Sequence, residues 1–171
     1  MSMQNLEVDL DIEKIDDLSL IGELRQEWWP STDGCEYALV ATYKGFPLAS
    51  FLVYSCSFHS NDCFLSKMAG VGQVYVVEGM RNQGFCRNFL SIAMDYLKSL
   101  EWSGVLLYAK KRTMFVSLGF NPIQKIEEDK FLMVKMFDDC ISLRPLHTII
   151  EDSDWKNVNK SGWAIIPSSI F

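Results

Sequence analysis

An apolar run, Val74-Tyr75-Val76-Val77, passes into a polar loop that contains Gly84 and then into a stretch with helical period. Phe85, Phe89, Ile92, Ala93, Tyr96, Leu97 and Leu100 fall on one face of a helix spanning Gly84 to Leu100. A strand therefore ends, a short loop turns, and a helix starts at once. The first N–H groups of a helix have no partner inside it, and the peptide dipoles place partial positive charge there. Such a junction is a site for phosphate. Gly84 removes a side chain where a phosphate would meet backbone, and Arg81 and Arg87 add full positive charges nearby. The segment is not a dinucleotide fingerprint, because Gly70-Val71-Gly72 precedes a strand and the G-x-G-x-x-G spacing is missing. It is not a P-loop either, since no Gly-Lys-Ser/Thr follows.

The rest of the chain surrounds this junction with strands. Leu6 to Leu10 alternates apolar and acidic residues and predicts a short strand. Asp16 or Asp17 can cap a helix that reaches Trp28, with Leu18, Leu20, Ile21 and Leu24 inward and Pro30 as its stop. Glu36–Tyr43 and Phe46–Phe58 predict a hairpin closed by Lys44-Gly45. His59 to Asp62 reads as a second turn, after which Cys63–Val77 returns as a long strand. Gly70 and Gly72 permit a bulge or a close backbone approach in it. Gly104–Ala109 predicts a buried strand, and Lys111–Leu118 a short helix ended by Gly119. Asn121–Ile126 and Lys130–Phe137 predict two further strands around an acidic turn at residues 127–129. The tail from Cys140, with Pro145, Trp155, Trp163 and Pro167, shows no clear period.

Composition narrows the classes. The chain has 171 residues and a net charge of −6, so a general nucleic-acid binder is not expected. The charge is uneven: residues 1–29 hold eight acids and two bases, 30–126 hold six and nine, and 127–171 hold eight and five. A basic middle between acidic flanks suits an anionic ligand at the centre and a cationic one beside it. The longest apolar stretch, Phe46–Phe58, is broken by Pro47 and three serines and is too short to span a membrane as a helix. The first residues have neither a basic n-region nor an apolar h-region, so a secretion signal is not expected. Five scattered cysteines fit reduced thiols and a cytoplasmic protein. Cys56, His59 and Cys63 surround a turn but have no nearby fourth ligand and no C-x-x-C pair, so no metal is expected.

Arg81-Asn82-Gln83-Gly84-Phe85-Cys86 resembles the R/Q-x-x-G-x-G/A loop of the GNAT acyl-CoA N-acyltransferases. Val74-Tyr75-Val76 is similar to that family's fourth strand. Tyr108 through Phe115 to Leu118-Gly119-Phe120 resembles its second signature, and the two blocks stand in family order. The resemblance covers roughly residues 6–137. It implies an α/β (α+β) fold: a mixed, mostly antiparallel central sheet, parallel fourth and fifth strands that splay, and helices on both faces. It implies a donor-binding domain over residues 1–138, with 139–171 as an extension. That extension folds over the cleft, pairs with a second subunit to form a homodimer, or stays loose. Acetyl-CoA or another acyl-CoA is the implied co-substrate, and a small amine or a basic side chain the acceptor. The region is also faintly similar to the aminoglycoside 2′-N-acetyltransferases and the nodulation acyltransferases.

By the same resemblance, Val74, Tyr75 and Val76 pair with the pantetheine and polarise the thioester, and backbone from Asn82 to Arg87 holds the pyrophosphate. The cofactor set is then Val74, Tyr75, Val76, Arg81, Asn82, Gln83, Gly84, Phe85, Cys86, Arg87 and Phe115. Lys110, Lys111 and Arg112 are further candidates for the CoA phosphates, and Trp28-Trp29 for the acceptor side. Three departures stand out. Cys86 replaces a small residue, and a thiol at a helix start is also a candidate nucleophile. Phe115 stands where the family carries its acidic tyrosine, which leaves Tyr108 as the nearest phenol to protonate the leaving thiolate. The family's strand-four glutamate is replaced by Gly70, Gly72 and Gln73. Gln73 can orient a water, and Glu36, Glu78 and His147 are candidate bases. Two readings follow: a direct acyl transfer to an amine, or a silent module of the same fold that binds CoA or a partner.

Overall fold

Apolar runs pair into one sheet, in the order β1-β2-β3-β4-β5-β7-β6. The computed structural model describes residues 9–20, 34–60, 63–110 and 112–137. The strands are β1 Asp11–Ile15, β2 Tyr37–Tyr43, β3 Phe46–Ser60, β4 Cys63–Val76, β5 Gly104–Ala109, β6 Asn121–Glu127 and β7 Lys130–Met136. Helix α1 is Phe85–Ser99 and α2 is Arg112–Ser117. All neighbouring strands pair antiparallel except β4 and β5, which run parallel. The expected mixed sheet with a parallel fourth and fifth strand is the observed one.

Lys44 and Gly45 both take positive φ, 49° and 79°, so the β2–β3 turn twists with its strands and fixes their register at Tyr43 and Phe46. Helix α1 lies on the sheet face formed by Leu39, Phe51, Val53, Ala69, Val71, Val105 and Leu107. Phe89 meets Phe51 with ring centroids 5.5 Å apart. Burying each large side chain of this kind stabilises the fold by roughly 1.5–3 kcal/mol. The opposite face is buried too: Ala38, Val40, Leu52, Tyr54, Met68, Leu106 and Leu132 are all nearly inaccessible. Two covered faces explain why β2 to β5 read as continuous apolar runs rather than as alternation.

Several boundaries differ from the sequence reading. The first described strand is Asp11–Ile15, set by its pairing with Thr42 to Ala38 on β2; of the expected strand Leu6–Leu10, residues 6–8 lie outside the described residues and Asp9 and Leu10 precede β1. Leu10 and Ile12 continue the same alternation, so the pattern alone did not mark the strand's start. Asp17 does accept from the N–H and hydroxyl of Ser19, at 3.1 and 2.6 Å, at the head of a 3-10 turn over Leu18–Leu20. Those two bonds hold its carboxyl below the usual range. The helix expected to reach Trp28, Pro30, Lys111 and everything after Phe137 lie outside the described residues, His147 and the 139–171 extension included. His59 and Ser60 belong to β3, not to a turn, since Ser60 pairs with Cys63. On α1, Leu90 and Met94 are buried, whereas Ile92, Tyr96 and Leu100 only flank the core.

Two local features yield measurable effects. Gly104 opens β5 between Met68 and Met136, and a Cβ there would lie 2.6 Å from the carbonyl of Lys135 and 2.9 Å from Met68 Cε. Backbone cannot yield as a side-chain tip can, so Gly104→Ala should destabilise by about 1–3 kcal/mol in urea unfolding. Trp102 Nε1 donates to the Tyr37 hydroxyl at 2.8 Å inside the core, with Lys14 Nζ 4.6 Å above the Tyr37 ring. Burial pushes the Tyr37 phenol up from its ordinary value, against the smaller downward pull of the Trp102 bond. A raised value in the folded state means stability that is whole below the unfolded phenol's pKa, about 10, and falls as pH rises past it. Unfolding at pH 8 and pH 11 should show that loss in the wild type and a smaller loss in Tyr37→Phe.

Candidate functional site

The site is built where β4 and β5 part. Their parallel pairing joins Met68 to Gly104, Ala69 to Val105 and Gly70 to Leu106, and extends no further. Residues 71–76 of β4 and 107–109 of β5 run on without each other, leaving a notch between two strand ends. On its other edge β4 stays paired to β3 as far as Ala49 and Val76.

A bulge shapes the β4 side of that notch. Leu52 faces Gly72 and Ser50 faces Tyr75, so Gln73 and Val74 together oppose Phe51. Gln73 carries a positive φ of 58°. One extra residue reverses which side each later residue faces. Ala69 and Val71 are in the core before the bulge and Val76 is after it, so odd positions give way to even ones. Tyr75 is thereby placed on the face of Ser50, away from α1, and Val74 is left 38% exposed at the notch.

Beyond β4 a 3-10 turn, Glu78–Met80, reverses the chain. The loop then takes positive φ at Asn82 (61°) and at Gly84 (74°), but not at Gln83 between them. Alternating backbone handedness of this kind turns successive N–H groups toward one concavity, and α1 adds the N–H groups of its first turn. Gly84 is the N-cap, makes no side-chain cap bond, and accepts from Asn88 N–H at 3.2 Å. A Cβ on Gly84 would touch nothing within 4 Å, so the residue is needed for its φ and not for space. Gln83 Nε2 donates to Gly79 O at 3.1 Å and braces the loop.

No protein-family model matches this sequence. No curated protein matches it either. The resemblance is in the fold. The structure is similar to the GNAT-family N-acetyltransferase YhbS from Escherichia coli in complex with CoA, with TM-score 0.57, 17% identity, and coverage of 76% of this chain and 81% of that one. An acyl-CoA N-acyltransferase from Pseudomonas aeruginosa matches at TM-score 0.55 and 18% identity over 74% of this chain and 99% of that one. The spermidine/spermine N-acetyltransferase SpeG from Vibrio cholerae matches at TM-score 0.52 and 15% identity over 75% and 95%. The chain has the GNAT fold.

Within the GNAT fold the candidate donor residues divide into three places. Val74, Tyr75 and Val76 line the edge of β4 that β5 does not reach. Arg81, Asn82, Gln83 and Gly84 form the exposed loop, and Phe85, Cys86 and Arg87 start α1, Phe85 in the core and Cys86 half-buried against it. Arg81 Nε donates to Val76 O at 2.8 Å, with its guanidinium carbon 5.6 Å above the Tyr75 ring. Arg87 Nε donates to Ser117 Oγ at 3.1 Å, and that hydroxyl donates to Met114 O at 2.6 Å, which fastens α1 to α2.

The segment that resembles the second signature is here a helix stop. Phe120 N–H bonds Phe115 O and Gly119 N–H bonds Val116 O, both at 3.0 Å, with Gly119 at φ 90°. The Phe115 and Phe120 rings meet edge to face at 5.7 Å, and Lys135 Nζ takes the leftover Leu118 carbonyl at 2.7 Å. Phe115 is thus a core residue, 8% exposed. Ser117 and Lys135 escaped the sequence reading because their partners lie 30 and 17 residues away, and no local pattern announces them.

The catalytic candidates are spread around the notch. Tyr108 is on β5 two residues past the last β4 pair, half-buried, with Lys130 Nζ 5.3 Å over its ring. Gln73 occupies the bulge, and Glu78 is exposed where the 3-10 turn begins. Glu36 sits before β2, its N–H bonded to Val53 O at 2.8 Å. Lys110 lies 3.7 Å from Asp129 in the β6–β7 turn. Among the described residues no group of three or more His, Cys, Asp and Glu is placed to hold a metal, and no helix is long and apolar enough to cross a membrane. The side chains of Cys56, His59, Cys63 and Arg112, and all of Trp28 and Trp29, lie outside the described residues.

Proposed function

We propose that this chain is an acyl-CoA-dependent N-acyltransferase, with acetyl-CoA its simplest donor. The observation that carries the reading is the notch: β4–β5 pairing stops at Gly70 and Leu106, just ahead of a bulge and a loop with two positive-φ residues at the start of α1. A pantetheine arm can pair with the edge of β4 that β5 does not reach while loop and helix-start N–H groups take the diphosphate. The fold neighbour YhbS, crystallised with CoA, supports that donor. Residues 1–138 form the proposed donor-binding domain, with 139–171 its extension.

The chemistry is direct transfer. An amine attacks the thioester carbonyl, whose oxygen gains charge stabilised by β4 backbone near the bulge. Two substrates held in line supply most of the rate advantage. Tyr108 is the proposed acid for the departing thiolate, and Gln73 or Glu78 serves the amine's proton through water. Phe115 carries no acidic proton, which is why this reading gives the task to Tyr108. The acidic flanks favour a cationic acceptor, a polyamine or a basic side chain, in line with the spermidine/spermine enzyme among the fold neighbours.

The test has two stages. Calorimetry should show acetyl-CoA binding to folded protein, and no binding at hundreds of micromolar overturns the reading. Free-thiol release across a panel of polyamines, aminoglycosides and lysine peptides then reports turnover. Binding without release from any amine would favour the silent module of the same fold, for which the buried Phe115 is the structural motive.

A further inference from the structure

We propose that Arg81 is a positioning residue, which holds the end of β4 that β5 does not reach in shape for the pantetheine arm and does not grip the diphosphate. The inference rests on the acyl-CoA reading above and assigns one side chain of that site. Val77 N–H donates to Leu48 O at 2.9 Å, so that N–H faces β3. Antiparallel strands alternate, and the Val76 carbonyl therefore points to the opposite edge. That is the edge that β5 left six residues earlier, at Gly70. The 3-10 turn brings the chain back, through Met80 N–H to Val77 O at 3.0 Å and Arg81 N–H to Glu78 O at 3.2 Å. Arg81 Nε then reaches the Val76 carbonyl at 2.8 Å, and its guanidinium lies over the Tyr75 ring at 5.6 Å.

A flat guanidinium that bonds a carbonyl through Nε while stacking on a phenol uses geometry that a lysine ammonium lacks. The carbonyl and the ring are both on β4, within six residues of Arg81, and both concern the strand end that a pantetheine must meet. A strand end ordered in advance spares the donor the entropy of ordering it on binding. The effect should therefore appear with a donor that has no phosphate at all.

Acetyl-CoA binding is measured by calorimetry, and acetyl-pantetheine binding by saturation-transfer NMR. Arg81→Ala should weaken both by a similar factor, on the order of tenfold. Arg81→Lys, which keeps the charge, should behave as Arg81→Ala with both donors. Amide exchange at residues 75–77 should rise in both variants while the thermal midpoint moves by only a few degrees, which separates a local effect from general unfolding. Acetyl-pantetheine affinity unchanged in Arg81→Ala overturns the proposal, whatever happens to acetyl-CoA. Acetyl-CoA affinity restored by Arg81→Lys overturns it as well, because a phosphate contact would behave so. Failure of the wild type to bind acetyl-CoA is a different result, seen before any variant is made, and it removes the acyl-CoA reading itself.

Discussion

Gly84→Asp should weaken acetyl-CoA binding by on the order of a hundredfold or more, and Gly84→Asn, nearly the same in shape, by less than about tenfold. Gly84 sits at φ 74°, a region that Asp and Asn enter more readily than other L-residues. An added Cβ there meets nothing within 4 Å, so neither variant is barred by contact. In the free protein a carboxylate at a helix start is even favourable. What separates the pair is one negative charge at the spot proposed for a diphosphate. At about 4 Å and an effective dielectric near 20, such repulsion is about 4 kcal/mol per pair of charges, enough after screening for a loss on the order of a hundredfold or more. Calorimetry on both variants reads it, with thermal midpoints as the control for folding. Equal losses would mean that shape, not charge, governs the loop, and the phosphate assignment would fail.

Tyr108→Phe should lower kcat for thiol release by roughly 10²- to 10⁴-fold, with little change in KM for the acyl donor. The substitution removes a hydroxyl and keeps the ring beneath Lys130 Nζ, and the thermal midpoint of the variant serves as the control for folding. Tyr108 lies on the part of β5 that runs beyond its pairing with β4, across the notch from the bulge, where a phenol can approach a leaving sulfur. An unchanged kcat would show that water protonates the thiolate and that Tyr108 only packs.

Strand order was legible wherever glycine punctuated an apolar run. Gly104–Ala109 was read to the residue because a glycine opens it and a lysine cluster closes it. Lys44-Gly45 marked its hairpin equally well. The bulge was not placed: Gly70 and Gly72 drew attention to the right strand, but the residue that takes positive φ is Gln73, which no local preference singles out. Leu90 and Met94 were missed because α1 presses a broader stripe on the sheet than a single helical ridge, while Tyr96 and Leu100 lie at its rim. Of the site, the loop and helix start could be read because their chemistry is local. The bonds from Arg81 to Val76 and from Arg87 to Ser117 are tertiary, and sequence spacing says nothing of them.

The three-residue contact between β4 and β5 has a mechanical consequence. It is the seam between two sequence-contiguous blocks, β1–β4 and β5–β7, each stitched internally by antiparallel ladders. A pantetheine arm lodged at that seam, as proposed, would act as a surrogate strand against main chain that β5 does not reach. Cofactor occupancy should therefore raise the melting temperature in proportion to the logarithm of its concentration, with the gain in rigidity concentrated along this one line of the sheet.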